Sequence, residues 1–141
     1  MSETAVSAVP GYTIVITGAP YVSQAPATAF AFCRALLDSG HVVDRVFLYG
    51  DGVALASALN TPPSDETNWT DRWQELLVAN GIPAIACIAS ALRRGLLNEQ
   101  EAHRYERVAA NLTGGFTIAG LGEWVEAVAT SDRVIYFHGG A

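Results

Sequence analysis

Four short runs of apolar and β-branched residues constrain this chain most. They are Tyr12-Thr-Ile-Val-Ile-Thr17, Arg45-Val-Phe-Leu-Tyr49, Ile82-Pro-Ala-Ile-Ala86 and Arg133-Val-Ile-Tyr-Phe137. Each has the length of a strand and none alternates strictly between apolar and polar residues. Strands that read this way are covered on both faces, as in parallel sheets. The stretches between them are helical. From about Ala25 to Ser39, Phe30, Cys33 and Leu37 fall on one stripe, and Gly40 closes the helix. From about Asn68 to Asn80, Trp69, Trp73, Leu76 and Leu77 share a face, and Gly81 stops it. Val53 to Leu59 reads as one or two helical turns, and the paired prolines after Asn60 mark a loop. Gly114 to Ala119 holds a further short strand. Gly120 opens a third helix, with Leu121, Val125, Val128 and Ala129 expected to face inward and Trp124 off that stripe. The order predicts one α/β domain over residues 12–141. It is an open parallel sheet of about five strands, with helices on both faces and right-handed crossovers. Residues 1–11, small and polar with a late Pro10, are expected to be a flexible tail.

The third run leads straight into Cys87-Ile-Ala-Ser-Ala-Leu-Arg-Arg-Gly95, whose alanines and leucine favour helix and whose Gly95 ends it. Cys87 therefore sits at the carboxyl end of a strand and the amino end of a helix. Unpaired N–H groups and the helix dipole at such a joint favour negative charge, hence thiolate over thiol. Open α/β sheets place their sites at this edge. Cys87 is the candidate catalytic residue. Arg93 and Arg94, two turns along, either bias the field, receive an anionic partner, or offset the dipole of their own helix. Leu97 to Asn111 is the most charged stretch and reads as a solvated helix or a lid over the Cys87 edge. His103 lies within it and would assist proton transfer if it came near Cys87.

Other chemistries find no support. Cys33 shares a stripe with Phe30 and Leu37 and is expected to pack in the core. Cys33 and Cys87 make neither a disulfide framework nor a Cys-x-x-Cys pair, which fits free thiols in a reducing compartment. His41, in a turn, and His138, after the last strand, are expected to be solvated. No histidine spacing suggests a metal, and no phosphate loop appears, so neither metal nor organic cofactor is expected. A net charge of −6 and a pI near 4.8 argue against direct nucleic-acid binding. No basic, apolar leader opens the chain and no membrane-spanning run occurs, so the expected location is the cytoplasm.

The ordered pieces resemble the DsrE-like sulfur-relay family from about Tyr12 to Phe137. The most specific piece is the Cys87–Gly95 segment followed by Asn98-Glu-Gln-Glu-Ala102. Val46-Phe-Leu-Tyr49 with Asp51-Gly-Val53, Thr61-Pro-Pro-Ser-Asp65, Arg72-Trp73, Gly115-Phe-Thr-Ile-Ala-Gly-Leu-Gly122 and Asp132-Arg-Val134 support it. The loop Thr17-Gly-Ala-Pro-Tyr21 departs from the family pattern. The resemblance implies that Cys87 carries sulfur as a persulfide, taken from a TusA-like donor and passed to a TusE-like acceptor. The implied end use is 2-thiolation of the wobble uridine of tRNA. TusB-like and TusC-like subunits would complete a heterohexamer. Two alternatives share the fold: a sulfur-oxidation subunit with a DsrC-like acceptor, and a structural subunit whose cysteine is inert.

Overall fold

The computed structural model describes residues 9–139, so the expected tail lies almost wholly outside the described residues. Five parallel strands form one sheet: β1 (Gly11–Ile16), β2 (Val42–Leu48), β3 (Ala84–Cys87), β4 (Phe116–Ala119) and β5 (Arg133–Phe137). Their spatial order is β4-β3-β2-β1-β5. The helices are α1 (Ala25–Asp38), α2 (Trp69–Asn80), α3 (Ile88–Arg93), α4 (Glu99–Arg104) and α5 (Gly122–Thr130), with a 3₁₀ helix at Gly50–Ala56. The expected α/β architecture is present.

The strand order decides which face each helix covers. From β1 to β4 the chain steps in one direction, and right-handed crossovers put the connecting helices on one face. The return from β4 to β5 runs the other way, so its crossover puts α5 on the opposite face. On the first face Phe30, Cys33, Trp73, Leu76 and Leu77 pack against Ile14, Ile16, Val46 and Leu48. On the second face Val15, Phe47, Ile85 and Cys87 form a smaller cluster beneath Ala119, Trp124 and Val134.

Local chemistry fixes these helices. Pro26 stands in the first turn of α1, where its missing N–H costs nothing. Asn68 caps α2, its side chain accepting a hydrogen bond from the Asp71 N–H at 3.1 Å. Trp73 is fully buried, its indole N–H donates to the Pro26 carbonyl at 3.0 Å, and its ring meets Phe30 edge-on at 5.5 Å. Asn68→Ala removes the cap and is expected to lower stability by about 1 kcal/mol, read as a shifted urea midpoint with unchanged slope. Gly52 lies so close to β1 that a Cβ there would strike the Ile16 carbonyl oxygen. The 3₁₀ helix can therefore seat directly on the carboxyl end of the sheet.

Three expectations about the secondary-structure elements need correction. The second strand begins at Val42, before the expected Arg45. The charged stretch after Leu97 is helical only over α4, after which the backbone turns away at Glu106, whose φ is +55°. The stripe of α5 expected to face inward faces outward. Leu121, Val125, Val128 and Ala129 are exposed, whereas Ala127 is buried and Trp124 half-buried against the sheet. Periodicity locates an apolar stripe without saying what it meets. Here a small alanine lets the helix lie close to the strands, and its larger apolar side chains stay outside.

Candidate active site

Cys87 is the last residue of β3 and the N-cap of α3, paired across the sheet with Ala119. Side chains alternate along a strand, so Cys87 and Ile85 point to the α5 face while Ala84 and Ala86 join the larger core. Only 2% of Cys87 is exposed, and Trp124 belongs to the packing that covers it. Its sulfur makes no capping hydrogen bond to α3. The joint expected from the sequence is in place, but the thiol lies in an apolar cluster on one side of the helix end.

The loop leaving β2 holds α3 in position. The buried Ser90 hydroxyl accepts from the Gly50 N–H at 3.0 Å. Arg94 Nε meets Asp51 Oδ1 at 3.0 Å, and Arg94 Nη1 donates to the Ser90 carbonyl. Arg94 thus braces its helix against the neighbouring loop, while Arg93 is exposed and forms no ion pair among the described residues.

On the same face an apolar cleft of about 400 Å³ opens between Phe47, Tyr49, Leu121, Trp124 and Tyr136. Cys87 does not line it, but Phe47 and Trp124 belong both to the cleft wall and to the cluster that holds Cys87. A polar chain closes its rim. Trp124 Nε1 donates to the Tyr136 hydroxyl at 3.1 Å, Tyr136 stacks on His138 at 5.7 Å, and His138 Nδ1 bonds Thr17 Oγ1 at 3.0 Å. Sequence reasoning missed this chain. Its members stand at the carboxyl ends of β1 and β5 and on α5, and they meet only because β5 lies beside β1. His138 is exposed as expected, yet it is held rather than trailing.

The remaining candidates separate from the site. Cys33 is fully buried in the larger core, and burial pushes its thiol from 9.0 up to about 12. His41 is not solvated: it is half-buried, packs edge-on against Tyr12 at 5.7 Å, and leaves Nδ1 without a partner. His103 is exposed in the last turn of α4 and takes no part in the packing around Cys87. Among the described residues no three His, Cys, Asp or Glu side chains gather as a metal would require. No described helix is long and apolar enough to cross a membrane.

The model of the DsrE/DsrF-like family matches residues 11–137. The chain belongs to that family. Sulfurtransferase TusD of Salmonella enteritidis PT4 is 44% identical over 126 residues, covering 89% of this chain and 98% of the relative. TusD of Salmonella typhi matches to the same extent. The crystal structure of the ychN protein from E. coli superposes with a TM-score of 0.74 at 25% identity, covering 92% of this chain and all of that one. The resemblance drawn from the Cys87–Gly95 segment is therefore to the right family, and the match with TusD runs through the strands and helices that position Cys87.

Proposed function

We propose that this chain is a sulfurtransferase of the TusD kind, with Cys87 as its sulfur carrier. The observation that carries the reading is the place of Cys87, at the carboxyl edge of the sheet where β3 becomes α3, in a cluster that shares Phe47 and Trp124 with an apolar cleft. Its thiolate attacks the outer sulfur of a donor persulfide. The S–S bond of the donor breaks, the donor leaves as a thiolate, and Cys87 becomes Cys–S–SH. An acceptor thiolate then attacks that outer sulfur and Cys87 is released as thiolate. No electrons are gained or lost overall.

The donor is TusA-like and the acceptor TusE-like, and the sulfur ends in the wobble uridine of tRNA, which this acidic chain does not itself touch. TusB-like and TusC-like subunits of the same fold stand beside it. The exposed stripe of α5, with Tyr49 and Tyr136 nearby, supports the assembly, because such an apolar surface on one sheet face suits burial against another subunit.

The purified chain, treated with a cysteine persulfide, is expected to gain one sulfur, seen by intact mass and lost on reduction. A chain that gains none, alone or with its co-purified partners, sinks the carrier reading. Burial of Cys87 also fits the structural subunit with an inert thiol, which would gain no sulfur, and a second measurement tests how the thiol is reached. If sulfur enters past Trp124, Trp124→Ala speeds alkylation of Cys87 about tenfold by exposing a thiol otherwise reached only through local opening. An unchanged rate would mean that Trp124 is no gate.

A further inference from the structure

We propose that the groove between the end of α3 and residues 105–109 is a docking site for an extended acidic peptide with apolar anchors. The groove encloses about 650 Å³, and Leu92, Arg93, Leu97, Tyr105, Arg107 and Val108 line it. Its charge stands against that of the chain. Net charge is −6, yet four of the eight basic side chains, Arg93, Arg94, Arg104 and Arg107, lie between residues 93 and 107. Arg94 is spent on Asp51, and Arg104 approaches Glu101 at 3.9 Å. Arg93 and Arg107, the two that line the groove, form no ion pair among the described residues. Glu106 shares the wall, so the opposing pair of arginines is partly offset on one side.

Two further observations give the occupant its shape. Val108 is fully exposed and Tyr105 about half exposed, so the groove offers apolar surface between its cations. Residues 108–110 make no backbone hydrogen bonds to the rest of the chain among the described residues. Carboxylates would meet Arg93 and Arg107, apolar side chains would rest on Leu92, Leu97 and Val108, and the main chain would pair with 108–110 as an added strand does. Nucleic acid matches the charge but leaves the apolar floor unused, and the remaining surface repels it. The proposal does not depend on the chemistry of Cys87, because its test reads binding alone.

The test is anisotropy of a short fluorescein-labelled peptide alternating glutamate and leucine, titrated with the full chain. Saturable binding is expected. Arg93→Ala with Arg107→Ala weakens it about tenfold, the loss of roughly one charge-assisted contact. Val108→Asp also weakens it, and the same peptide with glutamine in place of glutamate binds less tightly. Exposed positions keep these variants folded, which circular dichroism verifies. Absence of saturable binding overturns the proposal. So does binding indifferent to the arginine pair, or a labelled oligo(dT) that binds more tightly than the peptide.

Discussion

Cys87→Ser accepts no sulfur from a persulfide donor, and transfer to an acceptor thiol falls to the level seen without protein. A serine hydroxyl neither ionises near neutral pH nor forms the S–S bond that stores the cargo. The loss belongs to chemistry rather than to the fold. A hydroxyl in place of a buried thiol costs about 1–3 kcal/mol when unpaired, which a domain of this size withstands. Cys87→Ala, which buries no polar group, provides the stability control and loses transfer equally. The chain also contains its own internal comparison. Cys33 is buried in the other core, with its thiol pushed up to about 12, so it cannot take over. Cys33→Ala should keep both sulfur uptake and release. An adduct that survives in Cys87→Ser and maps to Cys33 would refute the assignment.

Alkaline solution should unfold the native chain sooner than Cys33→Ala. In the folded state burial holds the Cys33 proton until about pH 12, whereas in the unfolded chain the thiol ionises near 9.0. Below pH 9 both states keep the proton and the full contribution of burial to stability is present. Between pH 9 and 12 only the unfolded state loses it, so stability falls as pH rises. The slope is about 1.4 kcal/mol per pH unit, on the order of 4 kcal/mol across the window. The chain has no lysine, and every side chain other than Cys33 is shared by the two proteins. Urea unfolding at pH 8 and pH 10.5 reads the difference. Parallel loss in the two proteins would show that Cys33 does not titrate in this way.

The strands were legible because a run such as Tyr12–Thr17 has one physical use, burial on both faces. Cys87 was legible because strand, joint and helix lie within fourteen consecutive residues, Ile82 to Gly95, where spacing alone places the thiol. The surroundings of Cys87 depend on strand order, which local pattern does not contain. Trp124 joins the packing around Cys87, and His138 reaches Thr17, only after β5 is set beside β1. The outward face of α5 escaped for a related reason. Val125 and Val128 mark a surface that wants burial, and the chain alone does not bury it. The brace between Asp51 and Arg94 joins residues 43 positions apart, and neither carries any mark of the other in the sequence.

The placement of β5 has a consequence for the order in which the molecule can be built. β1 lies inside the sheet, yet its outer neighbour is the last strand. On a ribosome, β1 can pair with β2 as soon as Val42–Leu48 emerges, while its other edge keeps open donors and acceptors until residues 133–137 follow. Gly11 and Asp132, which exchange backbone and carboxylate hydrogen bonds, then close a loop spanning nearly the whole domain. Closure across such separation is slow, and an open, apolar strand edge is prone to pair with other chains meanwhile. For a nascent chain, the hazardous interval is thus the time between making the second strand and finishing the fifth.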